Sequence, residues 1–207
     1  MVNFRIHKFP KTRVATIDVC EIGMQKHHIA AMLEFDVTEA REKIKTYKKN
    51  VGKISFTAWI IKVISDTIKK HEGAAAYLKG KRRIVIFDDI NVSMIVEKES
   101  AGQKVPIPLI IEKANERSIE SITKQITDAK TEVLSENEIV LQSKASKLES
   151  FYYNLPGFLR RFIWRSMLKR PSFIYSKMGN VAVTSIGMMG SINGWFIPKS
   201  IHPICFG

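Results

Sequence analysis

The order of the chain's segments predicts an α+β fold with a mixed or antiparallel sheet. Segments with helical spacing of apolar residues and segments of strand character follow one another without regular alternation. The strand predicted over residues 105–111 carries two prolines, and proline is tolerated in a sheet at an edge or a bulge. With 207 residues, 45% of them hydrophobic, the chain can bury one full core, so we expect a single domain.

The N-terminal part is predicted to begin extended, over residues 1–36, and then to turn helical. Residues 33–37 alternate apolar and polar side chains, which is typical of a half-buried strand. Thr38 is expected to cap a first helix that reaches Lys49.

A second helix is predicted over residues 56–71, opened by Ser55. Its aromatic residues Phe56 and Trp59 are expected in the core. The apolar residues that recur at helical spacing are Trp59, Ile60, Val63, Ile64 and Ile68.

Strands are predicted over residues 83–87, 90–96 and 105–111, with a turn at Asp88–Asp89 and another at residues 101–103. A third helix follows, and Ser118 is its expected cap. Its apolar face is formed by Ile119, Ile122, Ile126, Ala129 and Val133.

Residues 140–178 differ in character and are read as a basic, aromatic insertion within the domain. Pro156 can start a helix there and Pro171 can stop it. One interpretation is a helix within residues 155–170 that makes peripheral contact with an anionic membrane. The other is an insertion packed on its own domain or on a neighbouring subunit, with its arginines in solvent. The apolar face comprises Phe158, Leu159, Phe162, Ile163 and Met167.

The net charge of +13 favours anionic partners or a solvated basic surface. Nucleic-acid binding ranks last, because the basic residues are dispersed and no recognition motif is present. Cys20 and Cys205 form neither a disulfide framework nor a zinc motif, and no metal site is expected. This cysteine usage suits a reducing cytoplasm. No signal peptide is evident, and no apolar run approaches the ~20 residues that span a bilayer.

Thr184 and Ser185 are the candidate catalytic residues. They end a predicted strand and enter a glycine-rich turn with Gly187 and Gly190, whose role is expected to be backbone geometry. A hydroxyl held at a strand end can stabilise charge on a reacting carbonyl oxygen, although it can equally pair with backbone in a turn. A second strand is expected within residues 196–207.

The histidines give no clear site. His27 and His28 are adjacent, so in extended chain their side chains point to opposite sides and do not chelate a metal together. His202 precedes Pro203 and is expected to be extended, with no catalytic role.

Several blocks in this order resemble one family, the catalytic domain of the 2-oxoacid dehydrogenase acyltransferases. The blocks are Glu34-Phe-Asp-Val-Thr38, Ser55-Phe-Thr-Ala-Trp59, Tyr77-Leu-Lys-Gly80, the segment 87–96, Val105-Pro-Ile-Pro-Leu-Ile110 and Val181-Ala-Val-Thr-Ser-Ile-Gly187. The family includes the dihydrolipoamide acyltransferase core and shares the fold of chloramphenicol acetyltransferase.

This resemblance implies an α/β sandwich, a mixed sheet with helices on one face, that assembles as a homotrimer or a multiple of it with active sites at subunit interfaces. It implies acyl transfer between coenzyme A and a dihydrolipoamide-like thiol or another acceptor. It also implies that Thr184, with Ser185 beside it, donates to the oxyanion. Lys69-Lys70 and the basic segment 79–83 either meet the phosphates of coenzyme A or are solvated.

The chain departs from the family pattern in two ways. The family's base lies in a His-x-x-x-Asp-Gly motif, and none of the five histidines is followed by Asp-Gly at that spacing. We therefore expect residues 1–207 to be a C-terminally incomplete acyltransferase-type domain. We also expect no lipoyl attachment in this chain. The alternative is a non-catalytic oligomeric scaffold, or an acyl-CoA-binding relative that lacks the base.

Overall fold

A computed structural model describes residues 4–5, 12–100, 103–131, 152–185 and 194–207. The helices are α1 (Thr12–Gly23), α2 (Thr38–Asn50), α3 (Phe56–Lys70), α4 (Ile119–Thr131), α5 (Gly157–Leu168) and α6 (Pro171–Met178), with a 3₁₀ turn at Glu72–Ala75. The strands are β1 (Tyr77–Lys79), β2 (Arg83–Val85), β3 (Val92–Ser100), β4 (Gln103–Ile111), β5 (Val181–Val183) and β6 (Ile204–Phe206). The predicted α+β class is confirmed.

The main sheet is mixed and has the strand order β4-β3-β5-β6. β3 and β4 form an antiparallel hairpin, whereas β5 and β6 run parallel to β3. Within the described residues β4 lies at the sheet edge, as its two prolines predict. β1 and β2 form a separate two-stranded sheet, so the strand before the Asp88–Asp89 turn does not pair with the strand after it. The β3–β4 turn includes residues 101 and 102, which lie outside the described residues.

The core lies between the sheet and the helices on one of its faces. α3 contributes Ala58, Ile61 and Ile68, and α4 contributes Ile122 and Ile126. The sheet meets them with alternate residues of its strands, since successive side chains of a strand point to opposite faces. These are Val92, Met94, Val96, Leu109, Ile111, Val181 and Val183.

The starts of α3 and α4 agree with prediction. The Ser55 hydroxyl accepts a hydrogen bond from the Ala58 amide at 3.0 Å, and the Ser118 hydroxyl accepts from the Ser121 amide at 3.2 Å. Each bond satisfies an amide that has no partner within its own helix. On α4, Ile122, Ile126 and Ala129 are buried as expected, while Val133 lies outside the described residues.

The core face of α3 differs from the prediction. Ala58, Ile61, Ser65 and Ile68 are its buried residues, and Val63 is exposed. Phe56 and Trp59 are half-buried and stack on each other at 5.5 Å. Because α3 is apolar around much of its circumference, periodicity alone did not single out the face that packs on the sheet.

The N-terminal region is not uniformly extended. Residues 12–23 form α1, which buries Ala15, Asp18 and Ile22 at helical spacing. The strand predicted over residues 33–37 is wrong. Leu33 and Phe35 are 68% and 76% exposed, and this segment pairs with no strand among the described residues.

The cap expected at Thr38 is also wrong. Thr38 is the first residue of α2, and Val37 occupies the cap position without a side-chain bond. The Asp36 carboxylate accepts the hydrogen bond of the Thr38 amide at 2.9 Å instead. An aspartate two residues before a helix can thus replace a cap when the residue between them is apolar.

The described part of the insertion, residues 152–178, folds as helices on the chain's own domain. Trp164 of α5 packs with Ile22 of α1 and with Ile201 in a second small core. The described part of the insertion contains no helix that is long and apolar enough to cross a bilayer, and neither does the rest of the described chain.

The second interpretation placed the insertion's arginines in solvent, and this is wrong for Arg160, whose side chain is only 16% exposed. Arg160 forms a salt bridge with the buried Asp18 at 2.7 Å, and Arg161 pairs with Glu21 at 3.1 Å. α1, which was not predicted, supplies both carboxylates.

Candidate functional site

Two asparagines hold the start of β5 against β3. The Asn91 carbonyl accepts hydrogen bonds from the amides of Asn180 and Val181, at 3.0 and 3.2 Å. In return the Asn91 amide donates to the Asn180 side-chain oxygen at 2.9 Å. The Asn91 side-chain oxygen accepts from the Lys113 amide, also at 2.9 Å. Since both asparagines are buried, these bonds fix β5 and the residues that follow it.

Gly179 makes this close approach possible. Its φ is +73°, a conformation that favours glycine, and a Cβ built on it would lie 2.3 Å from the Asn91 carbonyl oxygen. The residue therefore turns the chain from α6 into β5 at a point where no side chain fits.

Thr184 directly follows β5, whose three residues are all buried. Its amide donates to the Phe206 carbonyl at 2.9 Å, which continues the parallel pairing of β5 with β6. The Thr184 side chain is half-buried and that of Ser185 is exposed. Thr184 therefore lies where the buried strand β5 ends, at the edge of the sheet formed by the ends of its strands. Gly187 and Gly190 lie outside the described residues.

His202 is held at the other end of β6. Its Nε2–H donates to the Met178 carbonyl at 2.8 Å, so Nδ1 is unprotonated and accepts from the Ser200 hydroxyl at 2.7 Å. Burial lowers the pKa of His202 to about 4, a change opposed by the Met178 carbonyl and favoured by the charge of Lys26. The imidazole is therefore neutral at physiological pH.

His202 is too far along the sheet to serve as a base beside Thr184. Val181 lies opposite Ile204, so His202 is level with Gly179 and Thr184 is level with Gly207. Five residues of strand separate the two levels, roughly 16 Å.

The other described histidines are also engaged elsewhere. His28 is partly buried and its ring contacts the carbonyl oxygens of Lys26 and Ser200, each at 3.0 Å. His27 is exposed, and His71 caps the end of α3. None of the described histidines hydrogen-bonds Thr184. Within the described ranges, no group of three or more His, Cys, Asp or Glu side chains is placed to hold a metal ion.

An aromatic group beside the Gly179 turn was missed by the sequence reasoning. Phe87 and Tyr175 stack with ring centroids 3.9 Å apart, and the Tyr77 hydroxyl donates to the Gly179 carbonyl. The Tyr175 hydroxyl donates to the Asp89 carbonyl at 3.2 Å, and burial, helped by nearby carboxylates, raises the pKa of Tyr175 to about 12. These residues lie far apart in sequence, so no local pattern could have brought them together.

The basic residues that could contact a phosphate group differ in their surroundings. Lys69 donates to the Glu72 carboxylate at 2.6 Å and to the Asp88 carbonyl at 2.8 Å, which ties it to the domain. The tip of the β1–β2 hairpin, by contrast, is exposed. Its basic residues are Lys79, Lys81, Arg82 and Arg83.

Comparison with known protein families assigns the chain to a family of acyltransferases. Residues 21–140 match the family described as 2-oxoacid dehydrogenases acyltransferase (catalytic domain). Because this match spans more than half of the chain, the chain belongs to that family. No curated protein matches the chain.

Solved structures with the same fold are cores of this kind. A probable dihydrolipoamide acetyltransferase from Listeria monocytogenes superimposes with a TM-score of 0.63 at 18% identity, over 96% of this chain and 71% of that one. A truncated catalytic core of the 2-oxoacid dehydrogenase multienzyme complex from Thermoplasma acidophilum gives 0.60 at 16% identity, over 99% and 79%. The cubic core of a pyruvate dehydrogenase multienzyme complex gives 0.59 at 11% identity, over 96% and 70%.

Proposed function

We propose that this domain transfers an acyl group between coenzyme A and a dihydrolipoamide-like thiol, in the cytoplasm. The observation that supports the proposal most is the position of Thr184, at the exit of a buried parallel strand in a member of an acyltransferase family. Acyl transfer from a thioester passes through a tetrahedral oxyanion, and a fixed hydroxyl donor is the group that stabilises it.

Thr184 is the oxyanion donor in this proposal. Its backbone is fixed by the hydrogen bond to Phe206, and its half-buried side chain lies where water is partly excluded. A donor fixed before the reaction needs no reorganisation as charge develops. Ser185 is the second candidate, and its side chain is the more exposed of the two.

The incoming thiol also needs a base. His202 is unsuited to this task because it is weakly basic and lies at the far end of the strand pair. In the family pattern the base belongs to a His-x-x-x-Asp-Gly segment, which the 207-residue sequence does not contain. We therefore propose that the reaction is complete only when such a segment is supplied. The exposed basic tip of the β1–β2 hairpin is our candidate for contact with the phosphates of coenzyme A.

We further propose that the domain works as a homotrimer or a multiple of it. The segment between α1 and α2 has no strand partner among the described residues and leaves large apolar side chains in solvent. Such a patch favours a contact with a second copy. Its exposed residues are Ile29, Met32, Leu33 and Phe35.

The experiment measures acetyl transfer from acetyl-coenzyme A to dihydrolipoamide by the 207-residue chain, with and without added imidazole. We expect little turnover alone, and a protein-dependent gain when imidazole supplies the missing base. Thr184→Ala should reduce that gain about 100-fold, mainly in kcat, since the lost contact acts in the transition state. Thr184→Ser should keep most of it, and Ser185→Ala is the matched control.

Each outcome separates the alternatives. Fast turnover without imidazole would show that the chain has a base that we have not identified. An unchanged rate in Thr184→Ala, together with a loss in Ser185→Ala, would move the donor to Ser185. Binding of coenzyme A with no turnover under any condition would favour the non-catalytic scaffold.

A further inference from the structure

Helix α5 carries an apolar face that the described residues of the domain leave exposed. Phe158 and Phe162 are 64% and 68% exposed, and Leu159 and Ile163 are 38% and 36% exposed. The four side chains occupy two i,i+4 pairs, so they form one continuous patch. We call these four residues the α5 apolar face.

The opposite side of α5 is firmly attached to the domain. The Tyr152 hydroxyl donates to the buried Asp18 carboxylate at 2.7 Å and accepts from the Trp164 indole at 2.8 Å. Arg160 joins the same carboxylate at 2.7 Å. This network fixes the rotation of the helix, so the α5 apolar face points outward in the folded domain and needs no rearrangement to become available.

The sequence segment that carries this face is basic and contains no acidic residue. The sequence from 151 to 180 contains six Lys or Arg side chains and no Asp or Glu. Arg160 and Arg161 are neutralised by Asp18 and Glu21 of α1. The other four form no salt bridge within the described residues, and Arg165 bonds only the neutral Gln25. They are Arg165, Lys169, Arg170 and Lys177.

This combination fits an anionic lipid surface better than a second copy of the chain. A symmetric contact of two such faces would bring together eight cations that have no carboxylate partner within the described residues. An anionic bilayer offers the opposite charge for the cations, and an apolar layer that receives side chains to a depth of about 5–10 Å. Phenylalanine and leucine side chains beside Lys and Arg are the usual composition of an interfacial helix.

We propose that α5 and α6 form a docking surface that binds the domain to an anionic membrane, with the α5 apolar face inserted among the lipids. The helices lie beyond residues 21–140, the part that matches the acyltransferase family. The proposal therefore adds to the proposed reaction and does not depend on it.

The test is co-sedimentation of the 207-residue chain with vesicles of phosphatidylcholine, with or without a minor fraction of phosphatidylglycerol. We expect binding to the anionic vesicles only, and weakening as salt rises. Phe158→Ser/Phe162→Ser should lower partitioning about tenfold or more, because two aromatic side chains leave the interface. Its matched control is Leu78→Ser/Ile84→Ser, which removes an equally exposed apolar pair from the β1–β2 hairpin and should bind as the parent chain does.

A charge variant tests the electrostatic part. Lys169→Gln/Arg170→Gln should lower binding roughly tenfold and flatten the salt dependence, whereas Lys81→Gln/Arg82→Gln, an exposed basic pair elsewhere, should change it much less. Circular dichroism of each variant confirms that the fold is retained.

Three results would overturn the proposal. They are no binding of the parent chain to anionic vesicles, equal binding to neutral and anionic vesicles, and equal loss in the α5 variants and their controls. A change in sedimentation coefficient of Phe158→Ser/Phe162→Ser, without a change in vesicle binding, would assign the face to self-association instead.

Discussion

Asn91 and Asn180 position the end of the sheet at which the proposed chemistry takes place. Their reciprocal hydrogen bonds fix where β5 begins, and Thr184 follows β5 after only three residues. The position of one hydroxyl thus depends on two buried amides and on a glycine whose conformation permits the contact. An error of one residue in this register would turn Thr184 to the opposite face of the sheet.

Gly179→Ala should be strongly destabilising, because both conformation and space oppose a side chain. The left-handed φ costs about 1–2 kcal/mol and the overlap with the Asn91 carbonyl adds to it, so we expect a loss of about 3 kcal/mol or more in the free energy of unfolding. Urea denaturation measures it.

Two glycines serve as controls for Gly179. Gly80 has a φ of +67° with open space around it, so Gly80→Ala isolates the conformational cost of about 1–2 kcal/mol. Gly52 has neither a positive φ nor a close neighbour, and Gly52→Ala should lower the free energy of unfolding least. Equal losses at Gly179 and Gly80 would mean that the backbone at Asn91 moves away at little cost.

Stability should fall on mild acidification because of His202. Its pKa in the fold is about 4, below the reference value of 6.5, so the unfolded chain binds the proton more readily. The free energy of unfolding should therefore decrease as pH falls from about 6.5 to about 4, and this contribution should level off below that. Denaturation curves at a series of pH values measure the slope.

His202→Gln should remove this component of the slope, and His71→Gln controls for the loss of an exposed histidine. The slope between pH 6.5 and 4 should therefore be smaller in His202→Gln than in the parent chain. If His202→Gln leaves the slope unchanged, His202 is protonated in the fold as easily as in the unfolded chain.

The helices and strands show what sequence patterns can and cannot predict. Predictions that depend on one or two particular residues are confirmed. Ser55 caps the start of α3, and the two prolines of β4 place that strand at the edge of the described sheet. α1 was missed because its residues are rich in β-branched types, and its helix is stabilised by contact with α5, more than 130 residues away in sequence. The strand-end position of Thr184 and Ser185 was visible in the sequence, but only the family resemblance favoured Thr184 as the proposed oxyanion donor.

The first residues of α2 and α3 give a prediction about helix capping. Ser55→Ala should lower the free energy of unfolding by about 1 kcal/mol, because the Ala58 amide loses its acceptor. Thr38→Ala should cost less, since the backbone amide at this position keeps its hydrogen bond to Asp36 and alanine suits the first turn of a helix. Thermal or urea denaturation of both variants measures the difference. A larger loss at Thr38 would restore it as the cap of α2.

The molecule as a whole combines a folded core with large apolar surfaces that the described part of the chain leaves exposed. One is the segment between α1 and α2, and the other is the α5 apolar face. Monomeric proteins seldom keep two such surfaces exposed. We propose different partners for them, further copies of the chain for the first and lipid for the second. The reason is that four cations of the segment that carries the second form no salt bridge within the described residues.

Assembly can be tested at the first of these surfaces. The parent chain should sediment as a trimer or a multiple of it at micromolar concentration. Met32→Glu/Phe35→Glu should shift it toward the monomer, because burying carboxylates in an apolar contact is unfavourable. Phe158→Glu/Phe162→Glu is the control and should leave the assembly intact. A monomeric parent chain would contradict the proposed homotrimer.

The parallel position of β5 between β3 and β6 has a consequence for synthesis on the ribosome. β3 can pair with β4 as soon as their hairpin emerges, but its other partner follows only after α4, α5 and α6 have been translated. At usual elongation rates that interval is on the order of seconds, and throughout it one side of β3 offers unpaired backbone to other chains. Nascent chains at this stage should therefore bind ribosome-associated chaperones. They should resist protease only after the hydrogen bonds between Asn180 and Asn91 have formed.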